Sequence, residues 1–572
     1  MSPKSKRIRI RVISGLAVML SLILVIQLYF IQIVKGDEYR EDAKQQYTQS
    51  TSNIFNRGSI SLTARDGTSR VAALQESGFT LAVNAQFIQD PQAVYRSLAD
   101  VVSINKDDFL ASFADKEDPY VVIKRRLSPE VAEAVTALDI EGVGVYPEKW
   151  RRYPYGSLAA NVLGYVGYGS EGDERVGIYG IERFFDDVLS RSGNGLYVNI
   201  FAQVFSGIGD AISGEARARE ADVVLTLEPD VQSYLEKLLE DVAADWQAMQ
   251  VMGVVIDPNT GAIMAMATVP TFDPNNYSKV DDPSVFTNPL VQSRFEMGSI
   301  IKALTVAAGL DAGVITADTT YNDAGSVTLN GATIYNYDGK GRGVVNMQEV
   351  LNQSLNTGAT FVSLQLGHEK MREYFYGYGF DQKTGINLPG EVENAVANLE
   401  VNRDLEFATA AFGQGVAFTP IATVRALSAL ANGGRLVQPH ILQSVDYQVG
   451  GSDTFHPEEG KQVLKKATSE EISRMLAQVT DEALESGRRA RDRYSIAMKT
   501  GTAQIAAPGG GYNDNLFNHT YFGYFPAYEP EFLIFLMARK PHGARYASQT
   551  LTDPFFKMVD FLINYYNIAP DR

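Results

Sequence analysis

One apolar run limits what this chain can become more than any other feature. Lys4, Lys6, Arg7, Arg9 and Arg11 precede a stretch from Val12 to Val34 that is broken only by Ser14, Gly15, Ser21, Gln27 and Gln32. About 20 such residues at ~1.5 Å rise cross the ~30 Å hydrocarbon layer of a bilayer. The positive-inside rule leaves the basic tail in the cytoplasm and carries everything after the run across the membrane. A cleaved secretory signal has a core of about 7–15 residues ending in a small-x-small site. This run is longer, and it leads through Gln32-Ile33-Val34-Lys35-Gly36-Asp37 without an Ala-x-Ala. It is therefore expected to be an uncleaved, single-pass anchor.

The rest of the chain has to fold outside the membrane, and at 572 residues two or three domains are expected. Cysteine is absent from the sequence, which excludes disulfides, thiolate metal sites and a cysteine nucleophile. No two of the five histidines stand at the spacing of a helical metal site, so no metal is expected. No Gly-x-Ser-x-Gly elbow stands out either. A net charge of -17 argues against nucleic acid as a partner, because such binders need basic surface to displace counterions.

After Val34 the chain turns polar, and Asp37 to Gln49 reads as a helix leaving the membrane. Residues 35 to 215 then mix short strands and helices without a catalytic cluster, which suits a platform. A new domain opens at the β-rich Asp222-Val223-Val224-Leu225-Thr226-Leu227. Val231, Leu235, Leu238, Leu239, Val242 and Trp246 recur at helical spacing behind it. Val251 to Ile256 and Ala262 to Ala267 flank Asp257-Pro258-Asn259-Thr260-Gly261 as a hairpin. Further strands are expected at Tyr494 to Met498, Tyr521 to Phe525 and Phe532 to Met537. Strands, then helices, then strands again imply an antiparallel sheet with helices gathered around it, an α+β fold.

Gly298-Ser299-Ile300-Ile301-Lys302 starts an apolar helical stretch continuing through Leu304, Ala307, Ala308 and Leu310. Serine and lysine at i and i+3 share one helix face at about 5–6 Å. A serine hydroxyl is a poor nucleophile until a base takes its proton, and lysine serves only when held neutral. Alone the pattern means little, since Ser103-Ile104-Asn105-Lys106 satisfies it by accident. Order supplies the meaning. Ser354-Leu355-Asn356 follows Ser299, and Lys499-Thr500-Gly501-Thr502 comes much later after the apolar Ser495-Ile496-Ala497-Met498. These are the three elements of serine β-lactamases and penicillin-binding proteins. A second Lys-Thr-Gly at Lys383 runs into Ile386-Asn387-Leu388-Pro389-Gly390, with proline where a strand needs ladder donors. Lys499 is the better strand residue.

At this point the chain resembles the class B penicillin-binding proteins. Arg57-Gly58 with Arg65-Asp66-Gly67, Arg152-Tyr153-Pro154-Tyr155-Gly156, Asn161 to Gly167 and Gly180-Ile181-Glu182 look like that family's pedestal motifs. Thr384 to Glu391, Gly413-Gln414-Gly415 and Thr419-Pro420 resemble its later landmarks. The resemblance implies a cytoplasmic tail (1–11), an anchor (12–34), a pedestal or dimerisation-type domain (35–215) and a β-lactamase-like transpeptidase domain (216–572). It implies that Ser299 attacks D-Ala-D-Ala, Lys302 takes its proton and Ser354 relays a proton to the leaving amine. Asn356 would hold the substrate amide, and Lys499, Thr500 and Thr502 its carboxylate. The backbone N–H groups of Ser299 and Thr502 would form the oxyanion hole, and Gly501 would let the substrate backbone approach the strand edge. Met297 and Ala303 stand where the family often has proline, so altered geometry at the start of the helix is expected rather than lost activity. Gly509-Gly510-Gly511 suggests a mobile lip on the cleft.

The partners implied are peptidoglycan stem peptides, β-lactam antibiotics, a multi-spanning membrane glycosyltransferase and other proteins of division (septal synthesis) or, as the less favoured pathway, elongation (side-wall synthesis). No cofactor is implied. Two other readings use the same residues: a carboxypeptidase or β-lactamase that hydrolyses the acyl-enzyme, and a non-catalytic β-lactam sensor. The anchor and platform favour the transferase over a lactamase.

Overall fold

The computed structural model describes residues 56–113, 120–169, 175–191, 220–448, 451–507 and 509–572, together with Met19. Met19 apart, the expected anchor, its cytoplasmic tail and the polar helix after it lie outside these residues. Among the described residues no helix is long and apolar enough to cross a membrane.

The chain divides into two compact units; of the described residues from 56 on, one holds 77–149, the other 56–76 and 150–572. In the smaller unit Phe79 to Val83 pair antiparallel with the strand Val121–Leu127. Leu98, Phe109 and Val135, from three short helices, pack on Leu81, Val83 and Leu127 of those strands. The accidental Ser103-Ile104-Asn105-Lys106 lies here, with Asn105 capping the helix Lys106–Ala111.

In the larger unit the pedestal motifs meet at one buried carboxylate. Glu182 accepts from Arg57 Nε and Arg151 Nε, both at 2.6 Å, and from the Tyr153 hydroxyl at 3.1 Å. Arg151 also donates to Gly58 O at 2.6 Å, so segments distant in sequence are tied together. The two guanidinium groups overcome the desolvation of Glu182 and hold its carboxyl below the usual range.

Farther along, α1 (Pro229–Trp246) leads into β1 (Gln250–Ile256) and β2 (Ile263–Val269), the expected hairpin. Next come α2 (Ile301–Asp311), the short strands β3 (Thr320–Asp323), β4 (Ser326–Leu329), β5 (Ala332–Tyr335) and β6 (Gly343–Asn346), and α3 (Asn356–Gly377). The remaining elements are α4 (Pro420–Ala431), α5 (Lys466–Gln478), β7 (Ala497–Ala506), β8 (Tyr512–Phe525), β9 (Phe532–Arg539) and α6 (Ala547–Tyr566). The sheet is antiparallel in the order β7-β8-β9-β1-β2, leaving β7 at one edge. Nearly every residue of β1 and β9 is buried, which explains their unbroken apolar runs. α1 and α6 share one face, with Tyr234 stacked on Phe561 at 4.1 Å. Helix α2 is buried nearly all round among α3, α4 and α5, the environment its uniformly apolar sequence requires.

The late strands begin and end differently from the sequence reading. β7 starts at Ala497 and runs through Lys499 to Ala506, and β8 starts at Tyr512. Partner strand pairing extends both beyond their apolar segments, since ladder hydrogen bonds do not need apolar side chains. Gly510 and Gly511 lie at the turn of this hairpin.

Candidate active site

Ser299 stands in a single 3-10 turn, Gly298–Ile300, immediately before α2. That turn is pinned to the sheet, because Thr520 Oγ1 of β8 donates to Met297 O at 2.8 Å. Gly298 has φ +63°, and a Cβ there would meet Thr502 C and O at 2.9 Å. Only glycine allows both the left-handed backbone and this approach of the turn to β7. Met297 and Ala303 are fully buried, and neither donates a side-chain hydrogen bond in the site.

Lys302 lies one helical turn beyond Ser299, without solvent exposure. Its Nζ donates to Ser354 O at 2.5 Å and lies 3.2 Å from Ser354 Oγ. Lys499 reaches the same hydroxyl from β7, with Nζ 3.0 Å from Ser354 Oγ and 3.0 Å from Thr500 O. Three segments far apart in sequence therefore converge on one oxygen. Ser354 itself adopts φ +53°, a conformation costly for a residue with a Cβ. Such strain persists only where the surroundings fix it, and here two buried amines do.

Burial pushes both amines down. Lys302 falls well below the ordinary lysine value, through desolvation first and repulsion by Lys499 second. Desolvation brings Lys499 to about 7. Two ammonium groups on one hydroxyl repel, and Lys302, pushed down by burial and by Lys499 together, is the amine on which charge is more disfavoured. A hydroxyl one turn from an amine whose charge is disfavoured, with a second hydroxyl shared between two lysines, has the groups that nucleophilic acyl transfer needs.

The remaining expected residues line the same place. Asn356 opens α3, and its Nδ2 donates to Tyr335 O at 2.8 Å. Thr500 and Thr502 alternate on the partly exposed face of edge strand β7. Thr502 Oγ1 accepts from Ala547 N at 3.1 Å, at the start of α6. A Cβ on Gly501 would meet Thr520 Oγ1 at 2.3 Å and Met297 O at 2.8 Å, so the absence of a side chain lets the Ser299 turn pack against β7. The second Lys383-Thr384-Gly385 lies outside any strand, with the Thr384 and Gly385 N–H groups donating to Glu391.

Sequence reasoning misses several contributors. Thr520, the Tyr335 carbonyl and Ala547 N act through backbone atoms or single hydroxyls that form no motif. Glu296 is another. Its Oε1 accepts from Gly415 N at 2.9 Å and from the Tyr512 hydroxyl at 3.1 Å, fastening the outer end of β8 beside the Ser299 turn. The Gly413-Gln414-Gly415 landmark is the available signal, because Gly413 O also accepts from Gly298 N at 3.1 Å.

Residues 251–559 match the family described as "Penicillin binding protein transpeptidase domain", and residues 56–199 that described as "Penicillin-binding Protein dimerisation domain". The chain is 31% identical to stage V sporulation protein D of Bacillus subtilis, covering 94% of this chain and 82% of that protein. It is 27% identical to the probable peptidoglycan D,D-transpeptidase PenA of Neisseria meningitidis, covering 95% and 90% respectively. The crystal structure of penicillin binding protein 3 from Mycobacterium tuberculosis, complexed with aztreonam, shares the fold with TM-score 0.68 at 24% identity, covering 91% of this chain and 98% of that one.

Proposed function

The chain belongs to the class B penicillin-binding proteins, and from that membership we propose that it cross-links peptidoglycan as a serine-type D,D-transpeptidase, with Ser299 as nucleophile. The observation that carries this reading is the shared Ser354 hydroxyl, 3.2 Å from Lys302 Nζ and 3.0 Å from Lys499 Nζ, with Ser299 one turn before Lys302. Ser299 Oγ attacks the carbonyl carbon of the penultimate D-Ala while neutral Lys302 Nζ takes its proton. The tetrahedral oxyanion is held by the N–H groups of Ser299 and Thr502, where losing one donor typically raises a barrier by ~3–4 kcal/mol. The C–N bond breaks as Ser354 passes a proton to the leaving D-Ala amine and is reprotonated from the lysine side. An acceptor stem-peptide amine then attacks the ester, its proton leaves by the same route, and Ser299 is released.

Asn356 orients the donor amide, and Lys499 with Thr500 and Thr502 receives its terminal carboxylate, an anion suited to an ammonium and two hydroxyls. A β-lactam enters the same acylation and stays as a stable ester. The apolar run at 12–34 anchors the chain with its amino end inside and residues 35–572 outside the cytoplasmic membrane, 35–215 as pedestal and 216–572 as transpeptidase domain. A multi-spanning membrane glycosyltransferase meets it through span and pedestal, in septal synthesis. Labelling with a fluorescent penicillin tests the nucleophile: wild type takes up one label and Ser299→Ala none. Given a D-Ala-D-Ala donor and an acceptor amine, the chain should release D-Ala and join the two peptides. Hydrolysed donor without joined product would refute the transferase reading.

A further inference from the structure

Helix α3 starts without a cap of its own. Leu355 occupies the N-cap position and supplies no side-chain acceptor, although the first N–H groups of a helix need one. The acceptor comes from another element: Thr357 N donates to Asn336 Oδ1 at 3.2 Å. Asn336 in turn is held by Asp323, its Nδ2 lying 2.9 Å from Asp323 Oδ1 and 3.0 Å from Asp323 Oδ2. Asp323 Oδ1 also accepts from Thr357 Oγ1 at 2.8 Å. These three residues are 2%, 3% and 6% exposed, for Asp323, Asn336 and Thr357, so water does not compete for their bonds.

One residue away on each side lies the second half of the tie. Tyr335 precedes Asn336, and its carbonyl accepts from Asn356 Nδ2. The last residue of β5 and the residue after it therefore hold two consecutive residues at the start of α3. That grip fixes Asn356, and through the two preceding residues it fixes the left-handed Ser354 whose hydroxyl serves both lysines. We infer that Asn336, held by Asp323, is a positioning residue for acyl transfer, setting Ser354 and Asn356 against Lys302 and Lys499. This rests on the reading of Ser299 as nucleophile. A displacement of ~1 Å at a reacting geometry can slow a step by about a hundredfold.

Asn336→Asp offers a discriminating variant. The new carboxyl faces the Asp323 carboxylate, and two such groups share one proton. With that proton it replaces the amide towards Asp323 and Thr357, its hydroxyl donating to Asp323 and its other oxygen accepting from Thr357 N, while Lys340 O, which also accepts from Asn336 Nδ2 at 3.1 Å, keeps Arg342 as its donor. Once the proton is lost, two like charges repel and the grip opens. The other groups facing the pair are the Gly325 N–H, which donates to Asp323, the Lys340 carbonyl, which accepts from Asn336, the Tyr321 hydroxyl, which bonds Thr357 Oγ1, and Arg342. Arg342 gives its backbone N–H to Asp323, while its guanidinium is held by Asp338 and Gln353.

The test measures the second-order acylation rate of the full-length chain in detergent with a fluorescent penicillin, per folded chain by near-ultraviolet circular dichroism. Each variant is compared with wild type from pH 5 to pH 8, which divides out titration of the site lysines. Asn336→Ala should acylate about ten- to a hundredfold more slowly at every pH. Asn336→Asp should match wild type near pH 5 and fall to the alanine level between about pH 5 and 8. A purely structural role would lower the unfolding temperature and leave both ratios near one, overturning the inference. Where Asn336→Ala fails to fold, a flat Asn336→Asp ratio overturns it equally. A wild-type chain that takes no label at Ser299, located by mass spectrometry, would instead refute the nucleophile assignment underneath.

Discussion

Replacing Lys499 with methionine keeps most of the side-chain stem and removes a charge that the fold accommodates poorly. Its pKa falls from 10.5 to about 7 on burial. Because the folded value lies below the unfolded one, the unfolded chain binds more proton throughout that window, and stability rises with pH from about 7 to 10.5. At pH 7 the wild-type lysine therefore lowers stability by roughly 4 kcal/mol relative to a group that does not titrate. Against this, Thr500 O loses its ammonium donor, a loss of about 1 kcal/mol. Ser354 Oγ keeps Lys302 as a partner. Lys499→Met should thus be more stable than wild type by about 3 kcal/mol at pH 7 and about equal to it at pH 10. On the proposed roles it should also lose penicillin acylation, since the cation assigned to the substrate carboxylate is gone and Lys302, freed of its neighbour's repulsion, holds its proton more tightly. Equilibrium urea unfolding of the full-length protein in detergent at both pH values measures the difference. A variant less stable than wild type at pH 7, or a gap unchanged between pH 7 and 10, would show that the lysine is not desolvated as its surroundings imply.

Two other perturbations probe what surrounds that triangle. Glu182→Gln leaves the Arg151 guanidinium buried beside a neutral amide, while Arg57 keeps Asp186 at 2.7 Å, and should lower stability by about 3–5 kcal/mol in thermal unfolding. The depressed carboxyl adds stability that is present above its unfolded pKa of about 4.5 and lost as pH falls through the folded value, so acid sensitivity in that range should disappear in the variant. Gly501→Ala forces a Cβ to within 2.3 Å of Thr520 Oγ1, which must push β7 off the Ser299 turn. Penicillin acylation should fall about a hundredfold and stability by about 1–3 kcal/mol, whereas an alanine variant with normal acylation would deny that contact any role.

Much of the fold could be read from local pattern. The helix from Pro229, the Asp257 hairpin and the buried strands announce themselves through spacing between near neighbours, which the backbone converts directly into faces. Helix α2 was legible for the same reason, and so was the pairing of Ser299 with Lys302 one turn apart. Strand ends were not. The lengths of β7 and β8 depend on partners far away in the chain, and their polar ends carry no period of their own.

Ser299, Lys302, Ser354, Asn356 and the Lys499 to Thr502 segment are recognisable by residue type, order and local context, since the competing Lys383-Thr384-Gly385 runs into a proline-bearing stretch whereas Lys499 continues an apolar strand. That both buried amines settle on the single Ser354 hydroxyl depends on folding. So does the packing of Gly501 against the Ser299 turn, and so does the capping of α3 by Asn336. Each is a contact between residues whose separation along the chain carries no information about their distance. Their energies come from burial, and burial exists only once the sheet and helices have closed around them.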